Sequence, residues 1–144
     1  MISTKWLKGN DDLIDAHTIR AKVFINEQNV PQEVEMDDKD LGAFHVVVYN
    51  DEKAVATGRL LINESEFLIG RIAVLKEERK KGFGDLVVKM LVRKAEDKGA
   101  KEVLVHAQMS ALKFYEKLGF KIVGNEYIEE NTNIPHIHMV KNFE

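Results

Sequence analysis

The chain has 144 residues, 44% of them hydrophobic, which is the size of one domain with enough apolar side chain to bury a core. Its 21 basic and 24 acidic residues leave a formal net charge of −3, so no global positive field draws the molecule to nucleic acid or to an anionic membrane. Absence of cysteine removes disulfides, thiolate catalysis and cysteine-ligated metals; Met1 to Asn10 lack a signal-like apolar run and no apolar stretch reaches the roughly 18 residues of a membrane span, so a soluble cytoplasmic protein is expected.

In chain order, Ile2 to Leu7 is a candidate first strand. Asn10 and Asp11 can cap a helix in which Leu13, Ile14, His17, Thr18, Ala21, Phe24 and Ile25 recur at helical spacing. That helix should stop near Asn26 to Asn29, because Pro31 blocks continuation and pushes Val30 towards extended backbone. Glu33, Glu35, Asp37, Asp38 and Asp40 follow as an acidic segment, read as a solvated loop, with attraction of a cationic amine as the alternative. Ala43–Tyr49 and Ala54–Ile62 are rich in β-branched residues and read as a hairpin, with Phe67–Val74 as the next strand. Gly84–Lys98 carries Leu86, Val87, Met90, Leu91 and Ala95 on one helical face and is stopped by Gly99. A strand at Glu102–Ala107, a short helix at Ser110–Leu118 closed by Gly119, and strands at Lys121–Tyr127 and His136–Lys141 complete the chain. An early antiparallel meander followed by a strand, helix, strand crossover implies a mixed sheet with helices on its faces.

The segment Arg79-Lys80-Lys81-Gly82-Phe83-Gly84 sits between a predicted strand and a predicted helix. Glycines there allow a tight turn and close approach of a ligand, and the free N–H groups of the helix start, from Gly82 to Leu86, suit an anion such as a pyrophosphate. A plain strand-to-helix connection is an equally good account of the loop by itself. No Gly-Lys-Ser/Thr follows and the three-glycine dinucleotide spacing is absent, so nucleoside triphosphate and NAD sites are excluded. The basic run has no aromatic interleaving beyond Phe83, which argues against nucleic acid.

The loop, preceded by Ile72-Ala73-Val74, resembles the Arg/Gln-x-x-Gly-x-Gly/Ala loop of the GNAT N-acetyltransferases, and Phe114-Tyr115-Glu116-Lys117-Leu118-Gly119-Phe120 resembles that family's second motif. Both occur in the family's order and in the matching predicted elements. Val23-Phe24-Ile25-Asn26-Glu27-Gln28 and Glu35 to Asp40 further resemble a bacterial, ElaA-like branch. The resemblance implies one GNAT domain over residues 1–144. Its fold would be α+β in three α/β/α layers, with a mixed, mostly antiparallel sheet of six to seven strands.

The resemblance further implies transfer of an acetyl group from acetyl-CoA, the co-substrate, to a primary amine on a small molecule, peptide or protein, by direct aminolysis in a ternary complex. The backbone of Ile72, Ala73 and Val74 would hold the pantetheine where the fourth strand splays from the fifth. Lys81, Gly82, Phe83, Gly84, Asp85 and Leu86 would hold the pyrophosphate, with charge from Arg79 and Lys80, and Gln108, Phe114 and Lys117 would complete the CoA contacts. Many relatives have Asn at the position of Gln108. Tyr115 would protonate the leaving sulfur; with a phenol pKa near 10 it is protonated at neutral pH. Aromatic packing is its competing role. No base stands out, since the stretch Leu68-Ile69-Gly70-Arg71 lacks the carboxylate some relatives carry there; Glu27, Glu66 and His106 are candidates, with Glu27 preferred and an exposed helix-end carboxylate as its plainer reading.

His136 and His138 share a strand face, but without a third ligand no metal is expected. A monomer or homodimer, with no nucleic-acid or membrane partner, is expected. Two rival functions are a non-catalytic acyl-CoA sensor and an acyl-homoserine-lactone synthase-like enzyme, the latter suggested by Arg20 to Phe24.

Overall fold

The computed structural model describes residues 1–143. Seven strands form one sheet in the order β1-β2-β3-β4-β5-β7-β6: β1 (Ile2–Lys8), β2 (Phe44–Asn50), β3 (Lys53–Asn63), β4 (Glu66–Val74), β5 (Glu102–Gln108), β6 (Lys121–Ile128) and β7 (Pro135–Asn142). Every neighbouring pair is antiparallel except β4–β5, which is parallel because helix α3 (Phe83–Asp97) carries the chain across between them. The expected first strand is present as the sheet edge, paired with β2 from Ile2↔Asn50 to Lys8↔Phe44.

Helices cover both faces of the β1–β4 half. On one face α3 buries Val87, Val88, Leu91 and Ala95 against Val46, Val48, Leu60, Ile69 and Val103, and α4 (Leu112–Lys117) adds Tyr115 to the same core. On the other, α1 (Ile14–Arg20) buries Ala16 and Ile19 against Val47, Ala73 and Leu75. Double coverage explains the continuous run Val46-Val47-Val48, which is buried on both sides and shows no alternation. Gly58 is where α3 comes closest to the sheet: a β-carbon there would lie 2.6 Å from Val87 Cγ1 and 2.8 Å from Leu91 Cδ1.

Two features depart from the expectations above. The first helix does not remain α-helical to its end; after Arg20 it widens into a π-helical stretch, Ala21–Glu27, where Gln28 N–H donates to the Val23 carbonyl at 3.1 Å.

The acidic segment, expected to be a solvated loop or an amine attractor, is largely internal. It folds as helix α2 (Gln32–Glu35) and a 3-10 turn, Asp38–Gly42; Glu35 is 1% exposed and Asp40 is 7% exposed. Arg20 Nε donates to Glu35 Oε1 at 2.5 Å and its Nη1 to Asp40 Oδ1 at 2.8 Å. Arg59 Nη1 reaches Asp37 Oδ1 at 2.8 Å and Asp40 Oδ1 at 2.9 Å, while Arg71 Nη2 donates to Asp37 Oδ2 at 3.1 Å. These carboxylates are matched by arginines from α1, β3 and β4, so they are spent inside the fold and are not available to draw in a cation. Only Glu33 and Asp38 remain as exposed acids of that stretch.

Among the described residues, no helix is long and apolar enough to cross a membrane.

Candidate active site

The parallel pair β4–β5 is joined at only two positions, Leu68↔Leu104 and Ile69↔Val105. Beyond them β4 follows β3, with Thr57↔Ala73 and Ala56↔Val74, whereas β5 follows β7, with His106↔His138 and Gln108↔His136. A bulge drives the separation. The β3–β4 register slips between Thr57 and Arg59, leaving Arg71 and Ile72 opposite Gly58, and Arg71 takes a left-handed φ of 51°. The Ile72–Val74 backbone therefore loses its neighbour on the β5 side and opens a wedge into the sheet.

The glycine loop stands at the end of this wedge. Lys80 and Gly82 have φ of 66° and 85°, so the chain turns through two left-handed residues before α3 begins. No side chain caps α3, and its first internal bond runs from Leu86 N–H to the Gly82 carbonyl at 3.1 Å. The N–H groups of Phe83, Gly84 and Asp85 thus lack intrahelical acceptors and form an anion-binding end; that of Leu86 is already used. Gly84 is close to Phe114, where a β-carbon would stand 3.3 Å from the ring, so glycine lets the helix start meet α4.

Tyr115 is buried in the core on the α3/α4 side of the sheet, with its ring edge-on to Phe114 and Phe120 at centroid separations of 5.0 and 5.6 Å. Burial pushes its phenol pKa well above the usual value, which keeps the proton on oxygen across the physiological range.

Glu27 and Arg79, expected as base and phosphate contact, meet each other. Arg79 Nη1 and Nη2 each donate to a Glu27 oxygen at 2.7 Å, and its Nε donates to the Val74 carbonyl at 3.1 Å. The hydrogen bonds from Arg79 hold the Glu27 carboxyl below its ordinary pKa, so it is a weaker base than a free carboxylate. Lys81 pairs with Glu78 at 3.1 Å, while Lys80 and Lys117 are exposed. Across the wedge, Gln108 Nε2 donates to Gln28 Oε1 at 2.9 Å, tying the end of β5 to the end of the π-helical stretch. A groove between α3 and α4, lined by Asp85, Val88, Lys89, Val92, Lys117 and Leu118, continues from the loop along the outer surface. A second hollow, lined by Gly9, Asp11, Leu13 and His17, lies at the start of α1 and is remote from this machinery.

A splayed parallel pair beside an uncapped, glycine-entered helix is the architecture that the sequence resemblance implies, and residues 11–143 match the family model described as an acetyltransferase (GNAT) domain. The chain belongs to the GNAT family. It is 38% identical over 135 residues to the uncharacterized N-acetyltransferase YjcF of Bacillus subtilis (strain 168), covering 93% of this chain and 95% of that protein. Among solved structures it resembles an acyl-CoA N-acyltransferase from Pseudomonas aeruginosa, with a TM-score of 0.86, 27% identity and coverage of 98% and 99% of the two chains. Escherichia coli ElaA superposes with a TM-score of 0.86 at 26% identity, covering 97% of this chain and 99% of that one. The chain is thus a GNAT acetyltransferase with the expected three-layer fold, and its sheet has seven strands.

This GNAT chain also carries site features that the motifs did not reveal. Gln28 bonds Gln108 across 80 positions of the chain, and nothing in the spacing of the two residues announces the contact. The imidazoles of His106 and His138 stack with centroids 4.0 Å apart and planes 15° apart. Tyr127 meets His138 edge-on at 5.1 Å and stacks on His136 at 6.0 Å. Strand alternation and the β5–β7 pairing could have found the first of these contacts, but only with the pairing known. No group of three or more metal-ligating side chains converges among the described residues.

Proposed function

We propose that this acetyltransferase takes its acyl group from acetyl-CoA and passes it directly to a primary amine in a ternary complex. The observation that carries the reading is the wedge between β4 and β5, which leaves the β5-facing edge of Ile72–Val74 without a strand partner, apart from the bond from Arg79 to the Val74 carbonyl, and so open to an extended amide-bearing chain, with the free N–H groups of α3 at its end. Pantetheine is such a chain and its pyrophosphate is the matching anion. The P. aeruginosa relative described as an acyl-CoA N-acyltransferase supports the same donor. Ile72, Ala73 and Val74 would bind the pantetheine amides; Gly82, Phe83, Gly84 and Asp85 would bind the pyrophosphate, with Lys80 and Lys81 adding charge. Lys117 borders the groove that the adenosine end would follow, and Phe114 stands against Gly84 at the start of α3.

In the reaction the amine nitrogen attacks the thioester carbonyl, the C–N bond forms and the C–S bond breaks. Tyr115 gives its proton to the departing sulfur. Glu27 holds Arg79 to the Val74 carbonyl and so stiffens the loop, a role its paired state fits better than that of base. The acceptor is a small-molecule amine or an exposed amine of a peptide or protein.

Thermal unfolding with acetyl-CoA, NAD and ATP at matched concentration tests the donor, because a ligand that binds only the folded state raises its stability by mass action. Acetyl-CoA should raise Tm clearly more than the other two; equal shifts, or none, would refute the site. A screen of amines reading free thiol release then identifies the acceptor class and separates this reading from a non-catalytic acyl-CoA sensor.

A further inference from the structure

The half of the sheet formed by β5, β7 and β6 has α4 on one face, but α1 on the other face packs over β2, β3 and β4. Along β5 the buried Val103, Val105 and Ala107 point to the α3/α4 side, so Leu104, His106 and Gln108 point to the opposite side. Tyr115 belongs to the core with Val105 and Ala107. His106 and Tyr115 therefore flank the sheet from opposite faces, and His106 is the first residue of β5 beyond the last β4–β5 pair, Ile69↔Val105. On β4 the residue in phase with it is Gly70, where a β-carbon would meet nothing within 4 Å. The mouth of the wedge beside His106 is open space.

We infer that His106 accepts the proton of the attacking amine, with His138 stacked behind it as a positioning residue, and that the acceptor enters over Gly70 on the face opposite Tyr115. The inference rests on the donor site proposed above. As the C–N bond forms, one N–H proton passes to the neutral His106 ring; as the C–S bond breaks, Tyr115 protonates sulfur. Proton exchange with water returns His106 to its neutral form and Tyr115 to the phenol, so amine and thioester become amide and thiol with no net proton change.

The stack favours the neutral ring. Two imidazoles with centroids 4.0 Å apart resist carrying two positive charges. The His106 ring is solvent-accessible; its partial desolvation first, and then repulsion from His138, lower its pKa below 6.5, while Glu66 opposes this and His136 and Lys39 add to it. Tyr127, the remaining titratable group against the stack, is held neutral because burial and Glu129 raise its pKa. His106 is consequently unprotonated at neutral pH and available as a base.

Full-length protein saturated with acetyl-CoA should be assayed from pH 5 to 9 with phenethylamine, spermidine and a peptide bearing a free N-terminus as probe amines. Titration of the histidine Cε1 protons by NMR, with and without acetyl-CoA, runs alongside. His106→Gln should lower kcat/KM about a hundredfold while acetyl-CoA affinity stays within about twofold. His138→Gln removes both repulsion and cover, so His106 should titrate at higher pH and the acid limb of the rate profile should move up with it; the amine's own ionisation is common to both proteins and cancels in the comparison. A His106→Gln enzyme within twofold of the parent with an unchanged pH profile would overturn the inference. So would a His106 resonance that titrates near 6.5, ignores His138→Gln and does not respond to acetyl-CoA, and this holds even if none of the three amines is turned over. Failure of the unsubstituted protein to bind acetyl-CoA would refute the donor site instead.

Discussion

Replacing Asp40 with alanine tests whether the internal charge cluster holds α1, the acidic segment and β3 together. Asp40 Oδ1 accepts from Arg20 Nη1 at 2.8 Å and Arg59 Nη1 at 2.9 Å, and its Oδ2 pairs with His17 Nε2 at 2.9 Å. The two arginines are 1% and 4% exposed, so neither guanidinium reaches water once the carboxylate is gone. Breaking a buried ion pair costs about 3–5 kcal/mol. Because Arg20 keeps Glu35 and Arg59 keeps Asp37, the loss should sit at the low end, about 3 kcal/mol. For a domain of this size that corresponds to a Tm lower by roughly 10 °C. Asp40→Asn retains one oxygen acceptor and should lose less.

The pH dependence gives an independent check. Burial pushes the Asp40 carboxyl up, but the hydrogen bond and charge of Arg20, with the bonds from Arg59 and His17, prevail and hold it well below the usual carboxylate range. A group whose folded pKa is depressed contributes stability above its unfolded pKa of about 3.9, and that contribution is lost as pH falls from there towards the folded value. Urea unfolding at pH 7 and in steps below pH 4.5 should show the parent losing stability faster than Asp40→Ala in the acid window. A loss under about 1 kcal/mol at pH 7, set against the range expected for a buried pair, or parallel acid profiles for the two proteins, would refute the reasoning.

Tyr115→Phe should lower turnover about a hundredfold with acetyl-CoA affinity nearly unchanged, because the ring still packs on Phe114 and Phe120; the loss should shrink with a thioester whose thiol is more acidic, and equal losses with both donors would indicate misplacement. Gly82→Val should weaken acetyl-CoA binding more than it lowers Tm: a side chain there meets nothing within 4 Å in the protein, yet at φ 85° it is strained by about 1–3 kcal/mol and stands where phosphate must approach. Normal binding with a low Tm would make the loop purely structural. Gly58→Ala should cost about 1–3 kcal/mol by overpacking the buried Val87 and Leu91, read from urea midpoints with unchanged m-value; a neutral result would show that α3 can lift off the sheet freely.

The contrast between β2 and the acidic segment shows where the sequence is informative. Val46-Val47-Val48 reads as strand because β-branched side chains set a local preference, and the structure places all three in β2 and buries them. Glu35, Asp37 and Asp40 read as solvated because their partners, Arg20, Arg59 and Arg71, come from other elements and are brought close only by the fold. The Glu27–Arg79 pair and the Gln28–Gln108 bond are hidden for the same reason.

By itself the sequence determined the order and kind of the main elements, the glycine turn into α3, and the family, since periodicity, helix breakers and loop motifs depend on neighbouring residues. Tertiary structure alone decided the bulge at Arg71 that pries β4 from β5, the burial of the acidic segment and the stacking of His106 on His138. Each depends on pairing register and on charges meeting across long chain separations, quantities that no local pattern of residues encodes.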